Sequence, residues 1–217
     1  MPPRPKIPRP TVKRLSLYLR EIETRSELGH KTISSKQLGQ ALGLTDAQVR
    51  KDLACFGNFG HPGVGYQTTE LIAELRNILG TDRQWNAALV GVGNIGRALM
   101  SYGRFRRKGF DIAAVFDSDP TIVDQDIAGH HVHSMKDLAG LVKERDIKIG
   151  VVAVPAAHAQ QVADQLIAAG VLGILNFAPK RLDVHDKVSV VSVDFSVALE
   201  QLAFQVSLGL VGSLEEG

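Results

Sequence analysis

Residues 88–99 read ALVGVGNIGRAL, and this stretch decides the fold. Gly91, Gly93 and Gly96 have G-x-G-x-x-G spacing, a weak signal alone, since a chain of this glycine content gives about 0.2 matches by chance. Its surroundings make it specific. The apolar run 87–92 leads in, an amphipathic helical pattern over 94–107 leads out, and Asp117 closes the next apolar run 21 residues after Gly96. In such a βαβ unit Gly91 makes the turn, Gly93 lets backbone amides approach a pyrophosphate, and Gly96 lets helix and strand close. Val92, Asn94 and Ile95 complete the loop, and the helix N-terminus favours negative charge. Asp117 is expected to accept hydrogen bonds from the adenosine ribose and to repel a 2′-phosphate, a preference for NAD over NADP. A glycine turn in a ligand-free α/β domain remains the alternative.

Further strand-like runs at 110–116, 147–154, 173–177 and 188–193, with helical patterns at 134–145 and 156–169, predict a parallel sheet covered by helices. The chain then offers Asp194 as an N-cap for FSVALEQLAFQVSLGLV. That helix is apolar around most of its circumference and calls for burial on more than one side.

Upstream of the fingerprint the period is helical. Val12, Leu15, Leu19 and Ile22 share a face of a first helix that runs from Thr11 to a stop at Gly29. Ser34 with Gln37, and eleven residues later Thr45 with Gln48, have the form of capping boxes, with a Gly43-Leu44 corner between the helices they open. This is the composition of a helix-turn-helix. Its second helix carries Gln48, Arg50 and Lys51 at polar positions, from which long cations reach phosphates or guanine edges. Ala47, Val49 and Leu53 are left to pack inward or flank the groove. The glycine-rich stretch GNFGHPGVGY, 57–66, suits a tight hairpin and so a wing, where His61 would meet an adjacent phosphate or minor groove. Arg14 and Ser35 are added as candidate DNA contacts. Thr69 is expected to cap a fourth helix ending at Gly80, and the domain boundary falls near 80–86. A small helical cap domain with a solvated charged face is the competing reading here.

Charge agrees with that division. Residues 1–66 carry 11 Lys/Arg against 5 Asp/Glu, whereas 67–217 carry 14 against 18, so the basic excess lies with the helix-turn-helix. A single cysteine, Cys55, leaves no intrachain disulfide and no cysteine cluster for a metal, which points to a reducing compartment. No apolar run reaches the roughly 18 residues of a membrane span, and MPPRPKIPRP at 1–10 lacks a signal-peptide core. A cytoplasmic location is expected. His130, His131 and His133 alternate along a short strand without a completing carboxylate pattern, so no metal site is expected. His158 and His185 have no visible triad partner.

The segments QVRKDLACFGNFGHPGVGY (48–66), GVGNIG (91–96), ILNFAP (174–179) and VDFS (193–196) closely resemble the Rex family of bacterial redox-sensing transcriptional repressors, in order and over nearly the whole chain. The resemblance implies an α/β protein with a winged helix-turn-helix domain at 1–80 and a Rossmann-like NAD(H)-binding domain at 86–193. It also implies a C-terminal helix and tail, 194–217, swapped onto the partner of a homodimer. Such a protein resembles a sensor of the NADH/NAD⁺ ratio that binds palindromic operator DNA and leaves it when NADH binds. By the same resemblance Arg20 and Asp194 match an intersubunit switch pair, and Tyr102 and Phe195 match positions near the nicotinamide. Val154, Ala178, Pro179 and the partner's Phe195 would form an apolar pocket that favours the neutral reduced ring over the cationic oxidised one. Cys55 departs from the tyrosine common at its position and is read as a small buried apolar filler, with a redox-sensitive thiol as the lesser alternative.

Catalytic residues are not expected. An oxidoreductase needs a general acid or base at the nicotinamide and a substrate domain, and the about 130 residues after the winged helix leave little room for both. An NAD-dependent enzyme with a helical appendage, and a CoA- or nucleotide-binding regulatory subunit without DNA contact, stay open as rival classes at this point.

Overall fold

In the computed structural model, which describes residues 7–57, 59–60 and 64–208, Pro8 and Pro10 open α1 (Arg9–Glu27). Proline suits this place because the amides of a first turn have no helical partner. Leu15, Tyr18, Leu19 and Ile22 are buried along one face, while Val12, expected on the same stripe, is 40% exposed and Thr11 takes the inward place.

The predicted capping box is present at α2 (Ser35–Leu42). Ser34 Oγ accepts from the Gln37 amide at 3.1 Å, and Gln37 Oε1 accepts from the Ser34 amide at 2.8 Å. Gly43 ends the helix at φ +65°, in the left-handed region that an L side chain resists. At α3 (Asp46–Ala54) only half of the second box forms. Thr45 Oγ1 accepts from the Gln48 amide at 3.2 Å, but the Gln48 side chain turns away and donates to Asp52 Oδ1 at 2.9 Å.

Asp52 explains that choice. It is 3% exposed, and a buried carboxylate must be surrounded by donors. Arg14 Nε donates to Oδ2 at 2.5 Å and Nη2 to Oδ1 at 2.8 Å, and the Tyr18 hydroxyl donates to Oδ2 at 2.8 Å. Burial alone would push the Asp52 carboxyl up, yet these hydrogen bonds and the Arg14 charge hold it below the ordinary carboxylate value. Burial and the neighbouring carboxylate push the Tyr18 phenol up. One ionic cluster thus fixes the second helix of the helix-turn-helix against α1.

Strand β2 (Tyr66–Gln67), at the end of the glycine-rich stretch, pairs antiparallel with β1 (Thr32–Ile33), and residues 58 and 61–63 of the stretch where a hairpin is expected lie outside the described residues. Two expectations for this part are corrected. Helix α4 (Thr68–Leu79) has Gln67 as its N-cap, not Thr69. The Thr68 hydroxyl instead donates to the His30 and Lys31 carbonyls at 2.9 and 3.1 Å, which ties the helix start to the chain before β1. Cys55 is not buried. It is exposed as the C-cap of α3, its thiol 3.3 Å from the Lys51 carbonyl.

The chain divides into two units between Arg83 and Gln84. The second unit is built on β3 (Trp85–Val90), β4 (Phe110–Asp117), β5 (Asp126–Ile127), β6 (His130–Ser134), β7 (Ile149–Val152), β8 (Gly173–Asn176) and β9 (Ser189–Ser192), in the order β5-β6-β4-β3-β7-β8-β9. All pairs are parallel except β5 with β6. From β6 to β9 this is the 3-2-1-4-5-6 order of a doubly wound dinucleotide fold. The helical pattern expected over 94–107 breaks into α5 (Asn94–Met100) and α6 (Arg104–Arg107).

Alternation along β3 shows how the sheet is covered. Ala88 and Val90 join a core with Leu138 and Val142 of α7 (Leu138–Glu144) and with Val162 and Leu166 of α8 (Ala156–Ala168). Ala87 and Leu89 join a core on the opposite face with Leu99 and Met100 of α5. On that second face Val191 of β9 stays 61% exposed. The last helix, α9 (Phe195–Ser207), starts at Asp194, which caps it as expected, Oδ1 accepting from the Ser196 amide at 2.9 Å. None of its residues is buried.

Asp52→Ala removes one side of the buried ionic cluster and should cost about 3 kcal/mol in denaturant unfolding followed by circular dichroism. Because the native carboxyl lies below its unfolded value, its stabilisation is present above about pH 4 and is lost as pH falls through the native value. Asp52→Asn should flatten that acid dependence.

Candidate functional site

Parallel register brings the expected site residues to one line. Phe116 of β4, Val90 of β3, Val152 of β7, Asn176 of β8 and Ser192 of β9 are successive partners across the sheet. One residue further on, Gly91 donates to the Phe116 carbonyl at 2.9 Å, Ala153 to Val90 at 2.9 Å, Phe177 to Val152 at 2.9 Å and Val193 to Asn176 at 2.8 Å. Asp117, Gly91, Val154, Ala178 and Asp194 therefore all lie at the carboxyl edge of the strands. Chain order reverses there between β3 and β7, and in open α/β sheets ligands bind at such a switch point.

The three glycines of the fingerprint are needed for different reasons. Gly91 has φ +101°, and a Cβ on it would lie 2.5 Å from the Ala153 carbonyl oxygen and 2.9 Å from Val154 Cγ1, so β3 and β7 can approach only if this residue is bare. A Cβ on Gly96 would lie 2.0 Å from the Gly91 carbonyl oxygen, which places the first turn of α5 directly on the loop. A Cβ on Gly93 would meet nothing within 4 Å. Gly93, Asn94 and Ile95 form the outward rim, whereas Val92 is buried and offers a ligand only its backbone. The loop is a cradle that is tight beneath and open above, the shape a pyrophosphate requires.

Asp117 has a second task that spacing does not reveal. Its Oδ2 accepts from the Val92 amide at 2.7 Å, and Oδ1 accepts from the Ser118 and Asp119 amides at 2.7 and 3.0 Å. Arg97 Nε donates to the Val92 carbonyl at 3.0 Å. The residue between the two loop glycines is thus held from both sides, by an acid on the neighbouring strand and a cation on the following helix. Sequence reading did not single out Arg97.

Ala178, Pro179 and Asp194 share a cleft of about 480 Å³ with Lys180, Arg181 and Ser192. Phe195, 60% exposed, stands next to Asp194 at the start of α9. Tyr102 follows the C-terminus of α5 and stacks edge-on to Phe105 with centroids 5.0 Å apart. Arg20 is exposed on α1, in the first unit, while Asp194 belongs to the second.

In the helix-turn-helix, Arg50 and Lys51 are exposed on α3 as expected. Arg50 Nη1 donates to Asp46 Oδ2 at 2.7 Å and to Ser35 Oγ at 3.3 Å, so α2 and α3 present these groups together. An exposed i,i+4 pair contributes only a few tenths of a kcal/mol, and a phosphate can displace it. Lys36, not singled out from sequence, is exposed beside them. Arg14 and Gln48 donate to Asp52, and Arg14 Nη2 also to Thr11 Oγ1 at 3.3 Å, so both position α3. His61 lies outside the described residues. No group of His, Cys, Asp and Glu among the described residues could hold a metal ion. His131 instead contacts Asp126 at 3.2 Å and stacks edge-on to His133.

A helix-turn-helix unit with exposed cations, joined to a doubly wound sheet with an open glycine cradle, defines a DNA-binding regulator with a nucleotide site. Comparison with known proteins agrees. Residues 6–54 match the family described as putative DNA-binding protein N-terminus, and residues 82–180 match the CoA binding domain. The redox-sensing transcriptional repressor Rex of Carboxydothermus hydrogenoformans is 49% identical over 201 residues, 93% of this chain and 97% of that protein. A crystal structure of RSP, a Rex-family repressor, in complex with beta-NAD+ and operator DNA is 33% identical and superposes with a TM-score of 0.88 over 97% of this chain and 99% of that one. RSP in complex with beta-NADH gives 31% identity and a TM-score of 0.86 over the same shares. The chain belongs to the Rex family of redox-sensing transcriptional repressors.

The cradle makes a contrast that thermal melts can check. Gly91→Ala puts a Cβ into backbone at a positive φ and should lower Tm by several degrees, whereas Gly93→Ala, with open space above it, should leave Tm within about a degree.

Proposed function

We propose that this chain is a repressor that holds operator DNA through its first unit and releases it when NADH occupies the carboxyl edge of its second. The observation that carries the reading is the row of site residues set by strand register, with an open cradle at Gly93 and Asp117 on the adjacent strand, in a chain that also carries a helix-turn-helix. Relatives named as repressors, one of them solved with beta-NAD+ and operator DNA and again with beta-NADH, support the same ligands here.

The backbone of 91–96 would hold the pyrophosphate and Asp117 the adenosine ribose, whose 2′-phosphate it would repel. Across the switch point, Val154, Ala178 and Pro179 would face the nicotinamide half. When bound, the dinucleotide supplies a ring that is neutral if reduced and cationic if oxidised. Apolar walls tolerate the first better, which gives a regulator the differential affinity it needs. Family membership and the repressor names of its relatives set this apart from the dehydrogenase reading; no catalytic acid or base is assigned.

Dimerisation follows from apolar surface. Leu199, Leu202, Phe204 and Val206 of α9 are each more than half exposed, and so is Val191 of β9. Exposing such a helix costs about 25 cal/mol per Å² of apolar area. We place α9 on a second copy of the chain in a two-fold homodimer, an arrangement that also supplies two recognition helices for a palindromic operator. In that dimer Arg20 of one subunit and Asp194 of the other form the switch pair, with Tyr102 and Phe195 near the nicotinamide. The described helices include none long and apolar enough to cross a membrane, and we take the site of action to be the cytoplasm.

Gel shifts on the DNA upstream of the protein's own gene test the reading. NADH should weaken the complex far more than NAD⁺ does, and Gly93→Val should bind DNA normally while ignoring NADH. Arg50→Ala with Lys51→Ala should weaken binding and lower the slope of its salt dependence by about 0.9 for each phosphate that is no longer neutralised. A chain ending before Asp194 should sediment as monomer or aggregate and bind operator only weakly.

A further inference from the structure

Asn176 ends β8 on the register row of the site, and its side chain is fully buried. Its Nδ2 donates to the Lys180 carbonyl at 2.8 Å and to the Ala178 carbonyl at 3.2 Å, and its Oδ1 accepts from the Ala178 amide at 3.0 Å. Ser192 Oγ, at the end of β9, lies 3.5 Å from the same Nδ2. An amide has two N–H donors and one carbonyl acceptor, and here all three functions serve the loop that follows the residue's own strand. The Lys180 amide also donates to the Ala178 carbonyl at 2.7 Å, so residues 177–181 turn tightly around a single side chain. The Asn176 main-chain carbonyl meanwhile accepts from Val193, which precedes the cap of α9.

Other amide-sized side chains do not fit this arrangement. Aspartate would set a carboxylate against two carbonyl oxygens, and leucine would leave the Ala178 amide and both carbonyls without their partner in the interior. The buried amide therefore specifies one loop conformation, the one that presents Ala178 and Pro179 at the cleft.

We propose that Asn176 is the positioning residue for the nicotinamide half of the site. In a doubly wound sheet the two halves of a dinucleotide lie on opposite sides of the switch point. With the adenosine half over β3 and β4, beside Asp117, the loop that Asn176 holds after β8 lies on the other side. Asn176 thus governs how tightly the reduced ring is held, and it leaves the adenosine half alone. This rests on the NAD(H) reading above.

Calorimetry with two ligands separates the claims. ADP-ribose keeps the adenosine, the pyrophosphate and the second ribose and lacks nicotinamide. Asn176→Asp should weaken NADH about tenfold and narrow the NADH-to-NAD⁺ affinity ratio, with ADP-ribose affinity held within about twofold. Asn176→Ser keeps a smaller donor and acceptor, should show the same selective loss in milder form, and serves if the aspartate variant fails to fold. Unchanged NADH affinity in either folded variant, or a parallel loss of NADH and ADP-ribose, overturns the assignment. A wild-type protein that binds neither ligand refutes the NAD(H) reading and the role of Asn176 with it.

Discussion

The site depends on the contact between β3 and β7 at Gly91. The Ala153 amide bonds to the Val90 carbonyl, and the Ala153 carbonyl lies where a Cβ on Gly91 would stand. That approach puts the ends of the two central strands side by side, and parallel register carries the alignment out to Asp117 on one flank and to Asn176 and Ser192 on the other. Loops that leave a common row have few ways to diverge within two residues. The cradle, the Asp117 carboxylate and the Ala178–Pro179 loop are neighbours because the sheet is in register, and no single one of them recruits the rest.

Hydrogen-bonded polar side chains then fix what register leaves loose. Asp117 and Arg97 hold Val92 from its two sides, and Asn176 holds the loop after β8. In the other unit the carboxylate of Asp52 gathers Arg14, Tyr18 and Gln48 and sets the angle of α3. The same device recurs in both units. A short-chain polar group with no access to water has few arrangements that satisfy it, so it specifies one geometry where apolar packing would allow several.

Much of this was legible in the sequence, and the misses have physical reasons. Glycine spacing and strand periodicity depend on backbone sterics and side-chain alternation, both local, so the succession of strands and helices, the cradle and Asp117 could be read. The Ser34 box could be read because its two bonds close within four residues. The second box misled, because Gln48 had a stronger partner in Asp52, and a carboxylate's burial is decided by α1, 34 to 38 residues away. The ion pair of Arg14 went unread for the same cause: a cation on an amphipathic helix looks solvent-facing until its partner is known. The pairing of β2 with β1 gave no signal, because its partners lie more than thirty residues apart, across the whole helix-turn-helix. Asn176 gave no signal, since nothing in ILNFAP marks which polar residue turns inward.

Release of DNA by NADH makes the two bindings one coupled equilibrium, so each must weaken the other by the same factor. NADH titrations of the full chain, free and saturated with operator DNA, measure this directly. Operator is expected to lower NADH affinity by the factor with which saturating NADH lowers operator affinity. Equal NADH affinity in the two titrations, with operator bound throughout, would contradict it.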